Sequence, residues 1–460
     1  MNAVTKKILL VAINARYSHA SYAARTLQAN LGALAREAVI LETDLDIAPI
    51  QIAEQIASYR PRVVGFTVYL WNIRLAEATA RILRIVLPHA RLIAGGPGLT
   101  ADYANAARFD TVVIGEGETA FRDLCARHLS GAPVPPAPLV VAPPEPTDAL
   151  ALPFDYYTDT DLAQRTIYAE TSRGCPYPCA YCTSAKTPLR LFPLGTLLPA
   201  LDRLWQRGVR QFKFLDRSFN APSAHACAIL DFFLPKVTPG ACLHFEINAD
   251  HLHPDVFRRI AAFPRGALHL EVGVQTLNPS VAAAIGRSAD TAQTLGNVRR
   301  LTRDTGAVVH ADLIFGLPGE DETSFAHGFD TLITAADPPE VQVNLLKGLP
   351  GTRLSRDASA LGLAFNPEPP YEVLRTDAMD FETLCRIQRF ARCWELVRNR
   401  NRFPEAVARL HAAVAPGYYR AYSALAARIF SGEGKLFAIS QARLALHLQG
   451  HLENLGNHNT

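Results

Sequence analysis

The sequence predicts an α/β protein in which a doubly wound parallel sheet precedes a partial (β/α)6 barrel and a C-terminal helical region. Three observations predict this fold. Strand-like apolar runs alternate with amphipathic, helix-like stretches in two regions of the sequence. A short proline-rich segment separates the two regions. Near the C-terminus the hydrophobic pattern is that of helices alone. The predicted segments are 1–130, a linker at 131–165, 166–360 and 361–460.

The composition is that of a folded protein of several domains. The chain has 460 residues, which at roughly 150 residues per domain gives two to four domains. Apolar residues make up 49% and charged residues 19%, so disorder of the whole chain is excluded. The 46 Lys and Arg nearly balance the 43 Asp and Glu. This balance gives no indication of a nucleic-acid partner.

The N-terminus does not have the pattern of a targeting signal. Its apolar run, Ile8–Ile13, is short and is followed by Asn14 instead of a small-residue cleavage site. No window approaches the roughly 18 apolar residues that a membrane-spanning helix needs. We therefore expect a cytoplasmic monomer that contacts neither membrane nor nucleic acid.

The first segment reads as a doubly wound sheet. Predicted strands are Ile8–Ile13, Ala38–Leu41, Val63–Val68, Leu92–Ala94 and Thr111–Ile114, and predicted helices are 20–36, 50–59, 73–87 and 118–129. Ligands of such sheets bind beyond the carboxyl ends of the strands. The candidate binding residues at those ends are Asn14, Tyr17, Thr67, Tyr69, Trp71, Asn72, Gly95, Gly96, Pro97, Gly115, Glu116 and Gly117.

These loops, with GGPG at 95–98 and GEGE at 115–118, resemble those of the cobalamin-binding domain at the N-terminus of many radical S-adenosylmethionine (SAM) enzymes. The resemblance covers nearly all of residues 5–130 and implies that the twelve candidates bind cobalamin. The D-x-H-x-x-G motif that supplies a cobalt-ligating histidine in other cobalamin domains is absent from the sequence. We therefore expect that His19 does not coordinate cobalt.

The second segment follows a proline-rich stretch, Gly131–Thr147, with seven prolines in seventeen residues. This composition resists helix formation and favours extended, semi-rigid chain, so it predicts a spacer between domains. A proline-rich recognition peptide is the alternative.

Three cysteines, Cys175, Cys179 and Cys182, form a C-x3-C-x2-C loop directly after a strand-like run, Thr166–Glu170. Three thiolates on one loop can hold three irons of a [4Fe–4S] cluster and leave the fourth iron open for substrate. A structural zinc site is the alternative, but it would need a fourth Cys or His at matching spacing. The next cysteines in the sequence, Cys227 and Cys242, stand alone.

The loop, with Tyr181 before its last cysteine, resembles the signature of the radical SAM superfamily. Further predicted strands follow at Phe212–Leu215, Leu243–Ile247, Leu268–Val274, Val308–Phe315 and Val341–Leu346, which makes six βα units. The resemblance implies that SAM is bound by Tyr181 and by residues at the strand ends, namely Asp216, Glu246, Glu271, Gln275, Arg287, Ile314 and Asn344. The adenine-binding element matches imperfectly, because Asp312 replaces a glycine and Glu320 falls one position late.

The last segment predicts amphipathic helices at 380–398, 404–414, 418–430 and 436–453. The arrangement Tyr371-Glu372…Thr376, a long helix and then Asn-Arg-Asn-Arg-Phe403 resembles the C-terminal region of an uncharacterised subgroup of cobalamin-binding radical SAM proteins. Asn14-Ala-Arg-Tyr17 and Tyr69-Leu-Trp-Asn72 fit the same subgroup. The basic run Arg398–Arg402 reads as a solvated helix end, although it could also bind phosphate.

The resemblance implies an enzyme that uses a [4Fe–4S] cluster, SAM and methylcobalamin, with an electron donor such as flavodoxin or ferredoxin. The expected reaction is methylation of an unactivated carbon, or of phosphorus, in a small molecule that the sequence does not identify. No residue is assigned to the transfer itself. The alternatives are a radical rearrangement or cyclisation, transfer of another SAM-derived fragment, and a carrier or sensor without turnover.

Overall fold

A computed structural model of the chain describes residues 6–100, 108–131 and 138–457. The chain forms two compact units, the first made of Met1–Ser172 and Arg190–Leu215 and the second of Arg173–Leu189 and Asp216–Thr460. The division into four segments remains a prediction.

The first unit contains the predicted doubly wound sheet. Six parallel strands lie in the order β2-β1-β3-β4-β5-β6. The strands and helices are β1 (Ile8–Asn14), α1 (Tyr22–Ala29), a 3₁₀ helix (Gly32–Glu37), β2 (Ala38–Asp44), α2 (Pro49–Ser58), β3 (Val63–Thr67), α3 (Ile73–Val86), β4 (Arg91–Gly95), β5 (Thr111–Gly115), α4 (Glu118–Ser130) and β6 (Leu139–Ala142).

Strand β1 shows why these residues form a central strand. Leu9 and Val11 pack in a core cluster with residues of α2 and α3, whereas Ile8 and Leu10 pack in a second cluster with residues of α1 and α4. Successive side chains of a strand point to opposite faces, and helices cover both faces of this sheet. The continuous apolar run that predicted the strand follows from this double burial.

The proline-rich stretch contains a strand that the sequence did not predict. β6 pairs with β5 in parallel, with Leu139 opposite Val112. Residues 132–137 lie outside the described part of the chain. Further on, a short helix, α5 (Asp159–Gln164), starts after Thr158, whose side-chain oxygen accepts a hydrogen bond from the Asp161 N–H. Part of the predicted spacer is therefore built into the first unit.

The first two barrel strands also belong to the first unit and run parallel, with Phe212 opposite Ile167. In the sequence between these two strands, one short strand precedes the cysteine loop and another follows it, and the two pair as a two-stranded sheet. The elements of this stretch are β7 (Ile167–Ala169), β8 (Ser172–Cys175), β9 (Thr187–Leu191), α6 (Leu194–Gln206) and β10 (Gln211–Phe214).

The second unit holds the other four barrel strands, which are parallel in the order β14-β13-β12-β11. All six predicted barrel strands are present, so the fold class is confirmed. The elements are α7 (Ser223–Phe233), β11 (Cys242–Ile247), a 3₁₀ turn (Ala249–His251), α8 (Pro254–Ala262), β12 (Leu268–Gln275), α9 (Pro279–Ala284), α10 (Thr291–Arg303), β13 (Val308–Phe315), α11 (Glu322–Ala335) and β14 (Glu340–Leu345).

The C-terminal region is helical, as predicted. It contains α12 (Arg353–Arg356), a small antiparallel pair β15 (Ala364–Phe365) and β16 (Val373–Arg375), α13 (Phe381–Trp394) with a π-helical extension (Glu395–Asn399), α14 (Pro404–Val414), α15 (Tyr418–Glu433) and α16 (Gln441–Asn457).

An aromatic cluster joins these helices to the barrel. Phe329 of α11 meets Phe390 and Trp394 of α13 edge-to-face, with ring centroids 4.9 and 4.8 Å apart. Tyr422 of α15 packs on Trp394 at 4.6 Å. These large rings are buried and supply much of the contact between α11, α13 and α15. None of the described helices is long and apolar enough to cross a membrane.

Candidate active site

The three cysteines of the predicted cluster lie on one short loop of the second unit, and their thiols are free. Its base is closed by the Cys175 N–H, which donates to Thr187 Oγ1 at 2.9 Å. Gly174 has φ of +90°, and a Cβ there would lie 2.1 Å from the Pro188 carbonyl oxygen. Only glycine permits this close approach between the two strands.

The thiols form a mutually repelling group when ionised. Burial raises the pKa of Cys175, and the nearby Cys182 and Cys179 thiols raise it further. The Cys182 Sγ accepts a hydrogen bond from the Ser184 N–H at 3.4 Å. Positively charged irons would relieve this repulsion.

The loop does not have the geometry of a mononuclear metal site. Among the described residues, no three Cys, His, Asp or Glu side chains converge as the ligands of one ion would. The thiolates of a [4Fe–4S] cluster each bind a different iron, so they need not converge on one point. Three free thiols on one loop fit the cluster.

The far end of the loop is held by backbone contacts. The Ala180 N–H donates to the Ile285 carbonyl at 2.8 Å, and the Leu354 N–H donates to the Ala180 carbonyl at 3.0 Å. Gly286 has φ of +74° and packs against the Pro178 carbonyl, which a Cβ would approach to 2.5 Å. The loop is therefore positioned by the residues after α9 and by α12.

Three of the predicted SAM-binding residues meet in one cavity beside this loop. Tyr181, Ile314 and Asn344 line a space of about 370 Å³ in the second unit. Val343, Leu345, Leu346 and Leu349 complete its apolar wall. The volume of the cavity and its combination of an apolar wall with polar side chains suit a nucleoside such as the adenosyl part of SAM.

The same cavity contains three further polar residues that were not predicted to bind SAM, namely Lys347, Glu372 and Gln388. Lys347 follows β14 by two residues, so it lies at a strand end, where polar residues are candidates for ligand binding. Glu372 precedes β16 and Gln388 lies on α13. Glu372 belongs to the Tyr371-Glu372…Thr376 pattern, which carries a resemblance but no assigned role. Gln388 could not be predicted, because nothing in a helix pattern shows which exposed residue lies near a distant strand end.

Arg287 is held by the carboxylate of Asp250, a residue that was not predicted to belong to the site. Its Nη2 donates to Asp250 Oδ1 at 3.0 Å and to the Gly273 carbonyl at 2.6 Å. Asp250 also accepts a hydrogen bond from Thr294 Oγ1 at 2.9 Å. Asp250 follows β11 by three residues, and its position at a strand end is the sequence feature that marks it as a candidate.

Glu246 and Glu271 lie at opposing positions of β11 and β12. The two neighbouring carboxylates therefore point to the same side of the sheet. Glu271 Oε2 bonds His244 Nε2 at 2.9 Å. Asp216, two residues after the end of β10, is only 1% exposed.

Gln275 ends β12 in a strained conformation. Its φ is +69°, and the register with β13 shifts between Gly273 and Gln275. A Cβ at Gly273 would lie 2.4 Å from the Gln275 amide nitrogen. Gln275 Oε1 is buried without a hydrogen-bond partner in the described part of the chain. Such strain and an unused buried acceptor are typical of ligand sites.

Glu320, whose position in the motif was shifted, is 2% exposed. Its Oε1 accepts a hydrogen bond from Thr276 Oγ1 at 2.6 Å. Burial raises its pKa to about 7. The contact ties the turn after β13 to the turn after β12.

In the first unit, the candidate cobalamin residues gather at the carboxyl edge of the sheet. β1 lies between β2 and β3, so the strand order reverses there, and ligands of doubly wound sheets bind at such a point. Asn14 ends β1 and Thr67 ends β3. The side chains of Tyr69 and Trp71 stack in parallel, with centroids 4.4 Å apart, and Trp71 is 52% exposed.

Several of these candidates have structural contacts inside the unit. The buried Asn72 amide donates to the Ile13 carbonyl at 2.9 Å, and its Oδ1 accepts the Tyr69 N–H at 2.8 Å. Asn14 Nδ2 donates to Glu42 Oε1 at 3.1 Å. Tyr17, 52% exposed, lies against the Arg165 guanidinium, 4.5 Å from its ring centroid. Asn72 therefore shapes the loop after β3.

The glycine loops pack on neighbouring backbone. At Gly96, which has φ of +123°, a Cβ would lie 2.4 Å from the Val68 carbonyl oxygen. At Gly115, with φ of +99°, a Cβ would lie 2.2 Å from the Ala142 carbonyl oxygen. The Glu116 carboxylate pairs with Arg190 and accepts the Glu145 N–H at 2.9 Å. Pro97, Gly115 and Gly117 are left at the exposed or half-exposed rim. This open rim fits a bulky ligand, and the individual contacts to cobalamin stay predictions.

Two families match parts of this chain. Residues 8–125 match the B12 binding domain, and residues 169–332 match the Radical SAM superfamily. The first match includes all the candidate cobalamin residues, and the second includes the cysteine loop. The chain thus contains a region that matches the B12 binding domain, followed by a region that matches the Radical SAM superfamily.

Two of the similar curated proteins are named as methyltransferases. The chain is 26% identical over 344 residues to 2-(S-pantetheinyl)-carbapenam-3-carboxylate methyltransferase of Streptantibioticus cattleyicolor, covering 67% of this chain and 50% of that protein. It is 28% identical over 350 residues to the cobalamin-dependent radical SAM methyltransferase TokK of Streptomyces tokunonensis, with the same coverage. The chain therefore spans about half the length of these relatives.

The fold is shared with a solved structure. The radical S-adenosylmethionine methyltransferase TsrM from Kitasatospora setae, solved with tryptophan and a SAM analogue, superposes with a TM-score of 0.62. The match covers 80% of each chain at 19% identity.

Proposed function

We propose that the protein is a cobalamin-dependent radical SAM methyltransferase that acts on a small molecule. One observation carries the proposal: the loop of Cys175, Cys179 and Cys182 also supplies Tyr181 to the cavity that Ile314 and Asn344 line. A cluster on these thiols would adjoin a nucleoside-sized space. The match to the B12 binding domain in the same chain, and the methyltransferase names of the two relatives described above, favour methyl transfer.

The cofactors carry the difficult chemistry and the chain places them. When bound, the cluster would supply the electron that cleaves SAM, and cobalamin would supply the methyl group. The thiolates of Cys175, Cys179 and Cys182 would hold three irons of the cluster and leave the fourth iron open for SAM. Tyr181 would offer an aromatic face to the adenine, and burial raises the pKa of its hydroxyl well above the usual range, so it stays protonated.

Arg287 would orient the charged end of SAM. Its Nε is buried and has no hydrogen-bond partner among the described residues, whereas Nη2 is engaged by Asp250 and Gly273. One donor is thus left for a ligand on a guanidinium that the fold already fixes. Gln275, with its unused Oε1, would bind a donor of the same ligand.

We further propose that the protein works in the cytoplasm as a monomer and takes its electron from a flavodoxin or ferredoxin. Exposed clusters and free thiols persist in reducing compartments. The eight cysteines of the sequence are free thiols in the structure, which is consistent with such a compartment.

Release of 5′-deoxyadenosine tests whether the protein is an enzyme. Anaerobically reconstituted protein with SAM and dithionite should release 5′-deoxyadenosine and methionine slowly without substrate. Asn344→Ala should raise the KM for SAM by about tenfold, because it removes one polar contact from the cavity. Absence of 5′-deoxyadenosine from protein that holds its full cluster and binds SAM would favour a carrier or sensor.

A further inference from the structure

We propose that a small acidic electron-transfer protein, of the flavodoxin or ferredoxin type, docks on a polar depression beside the cysteine loop. We call the depression the Tyr177 basin and define it by Tyr177, Asn220, Asp250, His251, Asn297 and Arg300. The inference rests on the proposed function, since it concerns how the cluster receives its electron.

The basin is formed in part by the cluster loop itself. Tyr177 lies two residues after Cys175 and two before Cys179. Its ring stacks on His251, with centroids 5.3 Å apart and planes 12° apart. The basin is open and encloses about 460 Å³. A partner seated there would lie against the loop that holds the irons, and electron transfer is fast only over short distances.

The basin is separate from the SAM cavity. Tyr181 lines that cavity, whereas Tyr177, four residues earlier, lines the basin. The basin contains none of the residues predicted to bind SAM. The cysteine loop thus contributes Tyr181 to the wall of the SAM cavity and Tyr177 to the open, polar basin.

Unpaired positive charge borders the basin. Arg300 lies in its wall, and its guanidinium sits 4.1 Å from the ring centroid of Phe257. Arg299 and Arg303 are exposed on the same helix, α10. Within the described ranges, none of these three arginines has a carboxylate at ion-pair distance.

The carboxylates of the basin are already neutralised. Asp250 pairs with Arg287 at 3.0 Å, and both side chains are almost fully buried. Asp255, at the start of α8, pairs with Arg258. The charge that remains is that of α10, where Arg299, Arg300 and Arg303 outnumber the two acidic residues at the ends of the helix, Asp290 and Asp304.

An acidic redox protein suits this surface. Electron-transfer complexes have small, transient interfaces, and complementary charge steers their encounter. In the transfer, the reduced carrier loses one electron and the oxidised cluster gains it, and no bond or proton moves. A peptide or small substrate would need specific pockets, which this open and polar basin does not offer.

Charge reversal tests the inference. We would compare wild type, Arg300→Glu/Arg303→Glu, Arg303→Glu alone and Arg409→Glu, in which an exposed arginine of α14 receives the same change of charge. The single Arg303 variant keeps the contact of Arg300 with Phe257. It therefore shows whether an effect of the double variant comes from lost charge or from a folding defect. The probes are a bacterial flavodoxin and a plant-type [2Fe–2S] ferredoxin, both acidic.

Calorimetry at low ionic strength would measure binding of each oxidised probe, and stopped-flow absorbance would measure cluster reduction by the reduced probes and by dithionite. We expect the double variant to bind at least one probe at least about tenfold more weakly and to be reduced correspondingly more slowly by it. Arg303→Glu should show the same effect, but smaller. Arg409→Glu should behave as wild type, and reduction by dithionite should be unchanged in every variant.

Unchanged binding of both probes by the double variant would overturn the inference, as would an equal loss of reduction by dithionite. Failure of both probes to bind or reduce wild type, while dithionite still drives SAM cleavage, would also overturn it and leave the proposed function standing. If dithionite drives no SAM cleavage in wild type, the proposed function fails instead.

Discussion

Arg287 Nη2 and Asp250 Oδ1 lie 3.0 Å apart in a pair whose side chains are only 9% and 5% exposed. The pair joins the turn after β11 to the segment after α9, which also contacts the cysteine loop through Ile285 and Gly286. A buried ion pair is costly to break because the remaining charge has no water around it. The pair thus couples the stability of the barrel rim to the position of the cluster loop.

Replacement of Asp250 should therefore destabilise the second unit. Asp250→Ala leaves the Arg287 charge uncompensated, and we expect a loss of about 3–5 kcal/mol in the free energy of unfolding. Asp250→Asn keeps a hydrogen-bond acceptor and should lose less. Urea unfolding measures both. The control is Asp231→Ala, which removes the exposed partner of Arg259 and should change little. Equal effects of Asp250→Ala and Asp231→Ala would contradict this account.

Cluster assembly should depend on three thiols alone. Reconstituted wild type should contain about four iron and four sulfide per chain, and the triple variant Cys175→Ala, Cys179→Ala, Cys182→Ala should contain none. Cys242→Ala, at the start of β11, is the control and should keep the full complement. Iron analysis and absorbance spectra give the result. Tightly bound zinc in wild type, or a full spectrum in the triple variant, would be inconsistent with the cluster.

Cobalamin should bind without a histidine on cobalt. His19 Nδ1 is 2.6 Å from Tyr168 Oη, and burial lowers the pKa of the imidazole. His19→Ala should therefore retain cobalamin. Electron paramagnetic resonance of the cob(II)alamin form should show no nitrogen superhyperfine splitting that depends on His19. A histidine triplet that disappears in His19→Ala would show the opposite.

Glu320 should make stability depend on pH. Burial raises its pKa from 4.5 to about 7, so the folded state binds a proton more tightly than the unfolded state. Its contribution is fully present below about pH 4.5 and is lost as pH rises through 7. Glu320→Gln should therefore stabilise the protein at pH 8 by at most about 3 kcal/mol and change little at pH 5. Urea unfolding at both values checks this. Stabilisation at pH 5 alone would reverse the assigned sign.

The sequence predicted the strands well and the connections less well. β1 has a continuous apolar run and β13 has a long alternating run, and each pattern indicates a strand without ambiguity. Both strands lie where they were predicted. β6 is four residues between prolines, too short for a periodic pattern, and only its pairing with β5 makes it a strand. Elements of this kind depend on a neighbour that the local sequence does not reveal.

In the candidate site as well, residues that belong to a local sequence pattern were predicted, and residues that depend on distant contacts were not. The cysteine loop was predictable because its chemistry depends on local spacing. Tyr181, Ile314 and Asn344 were predicted by resemblance and share one cavity. Asp250 and Gln388 were not predicted, since their roles arise from the contacts of a distant arginine and from the packing of α13. Asn72, predicted to bind cobalamin, has its buried amide engaged by backbone groups, a use that no sequence pattern distinguishes.

Methyl-deuterated SAM tests the central claim most directly, because it needs no knowledge of the substrate. Anaerobic protein loaded with cobalamin, reduced to cob(I)alamin and given methyl-deuterated SAM, should yield trideuteromethylcobalamin and S-adenosylhomocysteine in equal amounts by mass spectrometry. The same incubation should also release some 5′-deoxyadenosine. Accumulation of 5′-deoxyadenosine with neither labelled methylcobalamin nor S-adenosylhomocysteine would contradict methyl transfer and favour a radical rearrangement.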